Sequence, residues 1–211
     1  PPQPAILQEP RAYNRRGRVW DFSIREQTEK GDFPGGLKDL NTEDPDVRQA
    51  LIDVFVHWVE LTDLDGFRLD TLKHVEHEFW QDFGAQVRQR LAAQGKTNLF
   101  MFGESFDGDD QLVGSYTFNG EVDSVFYFPQ YYSVIRDVFH DGLSTDRIEQ
   151  LWSRRPGLYG SEPNELGTGV PPIQTLVNFL DNHDVPRFLF HGDEAAFCAA
   201  YDASESAPDL R

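Results

Sequence analysis

Helical and strand-like apolar patterns alternate along most of this sequence. Asp44 can cap a helix that has Pro45 in its first turn. The apolar residues that follow it recur at helical spacing: Val47, Leu51, Val54, Trp58 and Leu61. Parallel strands must be joined by long connections, which helices usually supply. The alternation therefore predicts an α/β protein with a parallel sheet and helical crossovers.

Four short apolar runs are the candidate strands of that sheet. They lie within residues 66–70, 99–104, 122–128 and 175–184. A helix between the first two is predicted from apolar residues four apart, with a glycine as its C-cap: Phe79, Phe83, Val87, Leu91 and Gly95. Further helices are predicted at 129–140 and around 193–201. The spacing agrees with the roughly 31 residues per βα unit of an eight-stranded barrel.

Acidic residues end three of these four runs. Asp70 ends the first, Glu104 the second, and Asp184 the last, directly after His183. In a βα barrel the chemistry lies at the carboxyl ends of the strands. A structural ion pair with Arg68, which shares one face of a strand with Asp70, would explain Asp70 alone. Three strand-end carboxylates predict a functional site.

Two of these carboxylates have surroundings that suggest different protonation states. Arg68 is expected to lower the pKa of Asp70 by opposite-charge proximity. Glu104 has no basic residue within three positions on either side, and repulsion from the aspartates is expected to raise its pKa. One ionised and one protonated carboxyl group can together hydrolyse a glycosidic bond.

Three short stretches carry a family resemblance. GFRLDTLKHV, FGES and FLDNHD resemble conserved regions of the α-amylase family of glycoside hydrolases, family 13, in the family's order and at its spacing. The resemblance implies that Asp70 is the nucleophile and Glu104 the general acid/base. It implies that Asp184 stabilises the transition state and orients the sugar. The implied fold is the (β/α)8 TIM barrel.

The same resemblance implies the substrate and its binding residues. Arg68 and His183 match substrate-site positions, and Lys73 with His74 is similar to the pair of members that act on α-1,4-glucans. The implied function is a retaining glycoside hydrolase that acts on starch or maltooligosaccharides through a covalent glycosyl-enzyme intermediate. A transglycosidase of the same family and a truncated, non-catalytic fragment are the alternatives.

A structural calcium ion is also implied. GGLKDLNTEDP at residues 35–45 resembles the end of the family's domain B. The resemblance therefore divides the chain into a loop-rich end of domain B at 1–43 and part of the catalytic barrel at 44–211. Asp39 falls where many members supply a calcium ligand, and His74 where a backbone carbonyl supplies another.

The match to the family is partial. The family's first conserved region and its eighth strand are not found, and the sequence opens on PPQP. We therefore expect an incomplete barrel, covering about strands 4 to 7. Its open sheet edges are expected to favour aggregation or association of the isolated chain over independent activity.

Charge and hydropathy argue against two classes of partner. The net charge is -17, from 19 basic and 36 acidic residues in a chain of 211. Such a chain is not expected to bind nucleic acid or an anionic membrane surface. Its longest apolar runs are far shorter than a membrane span. Cys198 is the single cysteine and is predicted to be a buried apolar residue.

Three other patterns admit both a functional and a structural interpretation. His74 and His77 are spaced for a metal, but no third ligand accompanies them, so an exposed, solvated pair is predicted. DGDD at 107–110 is predicted to be a polar turn rather than a calcium loop. The aromatic cluster FYFPQYY at 126–132 is predicted to be core rather than a sugar platform.

Overall fold

Three parallel strands form the sheet in this computed structural model, which describes residues 4–188. The strands are β1 (Gly66–Leu69), β2 (Phe100–Gly103) and β3 (Ser124–Val125). They lie side by side in that order, and both neighbouring pairs are parallel. The predicted α/β architecture with parallel strands is confirmed.

Six α-helices surround or precede the sheet in the part of the chain that the structure describes. They are α1 (Arg25–Lys30), α2 (Pro45–Thr62), α3 (His77–Ala92), α4 (Asp110–Ser115), α5 (Phe128–Gln130) and α6 (Asp146–Leu158). The chain leaves α5 directly into a π-helix, Tyr131–His140. Sequence patterns predicted α2, α3 and the helix at 129–140 but missed α1, α4 and α6. Helices α1 and α4 are only six residues long, which is too short to show a helical period.

Helix α2 begins as predicted but buries a different face. The Asp44 carboxylate accepts hydrogen bonds from the backbone of Asp46 and Val47, which stabilises the first turn. The predicted stripe is wrong at Trp58 and Leu61, which are exposed. The residues that α2 buries are Val47, Ile52, Val56 and Val59. Helix α2 has apolar residues on two neighbouring stripes. Packing against the rest of the protein determines which of the two stripes is buried.

Helix α3 crosses between β1 and β2 and supplies much of the core. Its predicted apolar residues are all buried: Phe79, Phe83, Val87 and Leu91. They pack in one cluster with Leu69 of β1 and Met101 of β2. Gly84 faces the turn before β3, and a Cβ atom there would overlap the carbonyl oxygens of Gly120 and Glu121. The close approach of α3 to this turn therefore requires glycine.

Replacement of Gly84 by alanine should destabilise the protein. We expect the free energy of unfolding to fall by about 1 to 3 kcal/mol, because the added methyl group must displace backbone atoms. Urea denaturation measures this quantity. Gly157→Ala is the matched control, since a Cβ atom at Gly157 meets no atom within 4 Å. Equal stability of the two variants would contradict the packing described here.

The fourth predicted strand contributes only one bridge in the described residues. Val177 pairs in parallel with Phe126. Its N–H donates to the Val125 carbonyl at 3.0 Å, and its carbonyl accepts from the Tyr127 N–H at 2.9 Å. The segment 175–184 thus continues the parallel order without forming a regular strand there. The helix predicted around 193–201 and Cys198 lie outside the described residues.

Residues 4–43 precede the sheet and are held together by contacts between their two ends. Two 3₁₀ turns, Ala5–Gln8 and Pro10–Ala12, come before α1. An antiparallel bridge joins Tyr13 to Leu40, and the Asn14 N–H donates to the Asp39 carbonyl at 3.2 Å. Between residues 4 and 188, no helix is both long and apolar enough to cross a membrane.

Candidate active site

Backbone pairing brings Asp70 and Glu104 to the same edge of the sheet. The pairing of β1 with β2 continues one residue past both strands, because the Glu104 N–H donates to the Leu69 carbonyl at 2.7 Å. The Glu104 carbonyl then accepts from the Leu72 N–H at 2.8 Å. These bonds fix the position of Glu104 relative to the turn that carries Asp70. The predicted convergence of two strand-end carboxylates is therefore present.

Arg68 contacts both carboxylates. Its Nη1 lies 3.1 Å from Oδ2 of Asp70, and its Nη2 lies 2.8 Å from Oε2 of Glu104. The guanidinium carbon lies 5.8 Å from the ring centroid of Phe126, which follows β3. The sequence predicted the contact with Asp70 but not the contact with Glu104. Neighbours in sequence could not show it, because Glu104 comes from the adjacent strand.

Asp70 is placed to be ionised. Burial alone would raise its pKa, but hydrogen bonding with Glu104, the charge of Arg68 and the N–H of Thr71 together hold the pKa below its ordinary value. The Thr71 N–H donates to Oδ1 of Asp70 at 2.8 Å. Thr71 has a φ of +53°, which is rare for a β-branched residue. This strained turn aims the carboxylate outward from the strand end.

Glu104 is placed to hold a proton. Burial raises its pKa to about 7, and hydrogen bonding with Asp70 adds to that rise while the charge of Arg68 opposes it. The direction of this pKa shift agrees with the prediction. Its main cause is burial, however, and not the predicted like-charge repulsion. The Glu104 side chain is 8% exposed, and no described residue hydrogen-bonds to its buried Oε1. That oxygen is therefore buried without a hydrogen-bond partner among the described residues.

Asp184 and His183 lie at the same site from the far end of the described chain. The charge of Asp184 is one of the causes that raise the pKa of Glu104. Nε2 of His183 lies 3.1 Å from Oδ2 of Asp184, and the Asp184 N–H donates to Oδ1 of Asn182 at 2.8 Å. Both side chains are exposed. The third predicted carboxylate is thus within electrostatic range of Glu104 and open to solvent.

Lys73 borders the loop that follows Glu104. Its Nζ donates to the Phe106 carbonyl at 2.6 Å and to Oδ2 of Asp107 at 3.0 Å. The Phe106 side chain is exposed beside this contact and packs edge-on against Phe128. The sequence predicted a polar turn for Asp107 and indicated no role for Phe106. The available signal was that these two residues follow Glu104 by two and three positions.

The His74 ring is held by the N-terminal region, although it stays within electrostatic range of Asp70. Its ring packs edge-on against Phe22 and Phe33, and Nδ1 lies 3.1 Å from the Thr28 carbonyl. Burial lowers the pKa of the imidazole. Asp39 lies in the same N-terminal region and accepts from the side chain of Asn14 at 2.7 Å. Within residues 4–188, no three His, Cys, Asp or Glu side chains are placed together to hold a metal ion.

The prediction of an exposed His74 and His77 pair is wrong. Both side chains are half-buried, and they bind different partners. Nδ1 of His77 lies 2.8 Å from Oε2 of Glu121, whose side chain is fully buried. That partner comes from the turn before β3, far along the chain, so the histidine spacing carried no information about it.

The two other structural interpretations agree with the coordinates. The Asp109 carboxylate in DGDD caps α4 by accepting from the backbone of Gln111 and Leu112, which makes this a polar turn. In FYFPQYY, Tyr127, Phe128 and Tyr131 are buried. The cluster is therefore mainly core.

Replacement of Asp70 should lower the pKa of Glu104. In Asp70→Asn the aspartate charge is removed, and with it a cause that raises the Glu104 pKa to about 7. Arg68→Gln should shift the midpoint upward, since the Arg68 charge lowers it. Carbon NMR of labelled glutamate carboxyl groups measures both shifts. Asp53→Asn, on the exposed side of α2, is the control; a Glu104 midpoint that stays fixed in all three variants would contradict this electrostatic account.

Acidic side chains at the carboxyl edge of a parallel sheet define an α/β protein with a carboxylate-based site. Residues 8–203 match the profile described as alpha amylase, catalytic domain. The chain belongs to the alpha-amylase family. That membership implies the TIM-barrel class for the fold.

Individual relatives agree with the family assignment. The chain is 32% identical over 185 residues to an alpha-amylase of Streptomyces lividans, covering 87% of this chain and 19% of the relative. It is 37% identical over 181 residues to a beta/alpha-amylase of Paenibacillus polymyxa, covering 84% and 13%. The chain thus spans less than a fifth of the length of these two relatives.

A solved structure shares the fold. The alpha-amylase from Geobacillus thermoleovorans, complexed with acarbose, superposes with a TM-score of 0.70 at 29% identity. The match covers 86% of this chain and 38% of that one.

Proposed function

We propose that this chain carries the catalytic carboxylates of a retaining glycoside hydrolase that acts on α-1,4-glucans. The observation that carries the proposal is the single guanidinium of Arg68, which contacts both Asp70 and Glu104. Two carboxylates that share one guanidinium lie close together, as a retaining mechanism requires. Transfer to a sugar acceptor instead of water would use the same intermediate and is the alternative function.

Glu104 has the properties of a general acid. Burial raises its pKa to about 7, so that at neutral pH a large fraction holds the proton that the leaving oxygen needs. Its Oε1 has no hydrogen-bond partner among the described residues. A glycosidic oxygen at that position would complete its hydrogen bonding.

Asp70 has the properties of the nucleophile. Its pKa is held below the ordinary value, so it is ionised when Glu104 is protonated. Attack by one of its oxygens on the anomeric carbon breaks the bond to the leaving oxygen, which takes the proton of Glu104. Water then attacks the glycosyl-enzyme, Glu104 regains a proton from it, and Asp70 leaves.

Asp184 and the basic residues are proposed to bind the sugar. Asp184 is exposed beside His183 and supplies negative charge opposite a reacting carbon that becomes positive. The Lys73 ammonium donates to the Phe106 carbonyl. It therefore lies beside the loop that follows Glu104. His74 could contribute through its backbone, because its ring is held by Phe22 and Phe33.

Two substitutions separate the roles of the proposed nucleophile and acid in the intact protein. Asp70→Asn should abolish starch hydrolysis, because an amide does not form the covalent intermediate. Glu104→Gln should slow starch hydrolysis strongly but retain more of the first step on an aryl glycoside, whose leaving group needs little protonation. Reducing-sugar and aryl-release assays measure the two. Near-normal activity of Asp70→Asn would show that the nucleophile is assigned wrongly.

The rate on starch should depend on pH with a basic limb near 7. As pH rises through about 7, Glu104 loses the proton that it must donate, so kcat/KM falls. On the acid side, kcat/KM falls only when Asp70 becomes protonated, below the ordinary aspartate range. The measurement is kcat/KM on maltoheptaose between pH 3 and 10. A rate that increases steadily above pH 8 would exclude Glu104 as the acid.

A structural calcium ion is proposed between Asp39, in the segment that we assign to the end of domain B, and His74, in the part that we assign to the barrel. Burial raises the pKa of Asp39 to about 6, and the nearby carboxylates of Glu76 and Asp32 add to the rise. Carboxylate and carbonyl oxygens are the ligands that calcium prefers, but residues 4–188 place no three acidic, histidine or cysteine side chains together, so further ligands would have to be backbone oxygens or water. Asp39 would supply a side-chain oxygen and His74 its carbonyl, since the His74 ring is engaged by Thr28.

Chelation tests the calcium proposal. The melting temperature of the intact protein should fall on addition of EDTA and recover with calcium, because an ion that binds only the folded state stabilises it. Asp39→Asn should weaken calcium binding in calorimetry, whereas Asp21→Asn, on the exposed surface nearby, should not. No heat of binding together with no change in melting temperature would reject the proposal.

A further inference from the structure

A groove lies on the face formed by α3, α4, the end of α6 and the turn before β3, apart from the candidate active site. It is open to solvent and has a volume of about 590 Å3. Its polar and aromatic wall comes from His77, Gln81, Gln111, Ser115, Phe118 and Asn119. Phe118 and Asn119 also border a second open region of about 760 Å3. None of the residues assigned above to catalysis, substrate or calcium lines the groove.

The buried carboxylate of Glu121 holds one side of this groove in place. One oxygen contacts Nδ1 of His77 at 2.8 Å, and the other accepts from Nε2 of Gln81 at 3.1 Å. The Tyr116 ring stacks on His77 with centroids 4.3 Å apart. Because Nε2 of Gln81 is committed to Glu121, its Oε1 is left as an oriented acceptor.

Ser115, His77 and Glu121 follow the order of a hydrolytic triad, but the contacts do not support nucleophilic catalysis. The Ser115 hydroxyl donates to the Leu112 carbonyl at 2.6 Å, while His77 Nε2 is 3.4 Å away. Ser115 also ends α4, and the N–H of the nearby Thr117 is bonded to Gly114. A triad needs its hydroxyl aimed at the histidine and free N–H donors for an oxyanion. The groove is therefore built for binding.

The opposite side of the groove presents an aromatic ring and free amides. Phe118 is 40% exposed, and it precedes Asn119 and Gly120, which both have positive φ. This left-handed turn holds the ring outward. The side chains of Asn119 and Gln111 make no hydrogen bond with other described residues. Both amides can therefore donate to and accept from a ligand.

We propose that this groove is a second saccharide-binding site, separate from the catalytic carboxylates. An apolar ring face suits the C–H groups of a pyranose, and convergent amides suit its neighbouring hydroxyls. Among the described residues, the groove lining includes no Asp, Glu, Lys or Arg side chain, so the site fits a neutral ligand. The choice of an α-glucan as ligand rests on the proposed function.

Hydrogen exchange of the intact protein tests the proposal with maltoheptaose as the probe. The experiment uses the Glu104→Gln background, so that the probe is not consumed. We expect maltoheptaose to slow exchange in residues 115–121, and Phe118→Ala or Gln111→Ala to weaken this protection at least fivefold in apparent Kd. Phe139→Ala removes another exposed ring and is the matched control that should leave it unchanged. Circular dichroism confirms folding of each variant.

The exchange pattern separates the two proposals. Protection at 66–74 without protection at 115–121 overturns the second site and leaves the proposed function standing. Protection at 115–121 that Phe118→Ala and Gln111→Ala both weaken supports the second site, even if 66–74 stays unprotected and the catalytic proposal fails. Protection at 115–121 that survives both substitutions overturns the assignment of the groove.

Discussion

The buried ion pair between Arg88 and Asp123 fixes the arrangement on which the site depends. Nη2 of Arg88 lies 3.0 Å from Oδ1 of Asp123, and each side chain is only 2% exposed. Oδ2 of Asp123 accepts the Met101 N–H of β2 at 2.9 Å, and Oδ1 also accepts from Asn164. Removal of either charge would leave the other buried and unpaired, which typically costs about 3 to 5 kcal/mol. The pair thereby ties α3 to the strand that carries Glu104.

The chemistry of the site follows from an unequal environment around one guanidinium. Arg68 contacts both carboxylates, but Glu104 is far more buried than Asp70. Burial penalises the charged form, so the proton that the pair can hold belongs on Glu104. Asp70 keeps the charge, because the Thr71 N–H and Arg68 both favour it. The proposed division into acid and nucleophile thus rests on depth in the fold rather than on residue type.

Sequence reasoning succeeded where the signal is local and periodic. The strands that end at Asp70 and Glu104, the cap at Asp44 and the buried face of α3 could all be predicted, because each depends on residues within about two turns. The face of α2 could not, since two apolar stripes compete and only the neighbouring elements select one. The Arg68 contact with Glu104 and the His77 contact with Glu121 join segments that are far apart in the chain. No pattern in a single sequence specifies such pairs.

Helix α3 links the core, the Arg88–Asp123 ion pair and the groove, because a different face of the helix contacts each of them. Phe83 and Val87 pack in the core against the strands, and Arg88 reaches Asp123 behind β2. His77, at the first turn, projects instead into the groove and is held there by Glu121. The groove and the catalytic edge are therefore supported by one rigid element, since packing along α3 restrains both. Under the two proposals, a saccharide bound in the groove would lie at a fixed distance from Asp70 and Glu104.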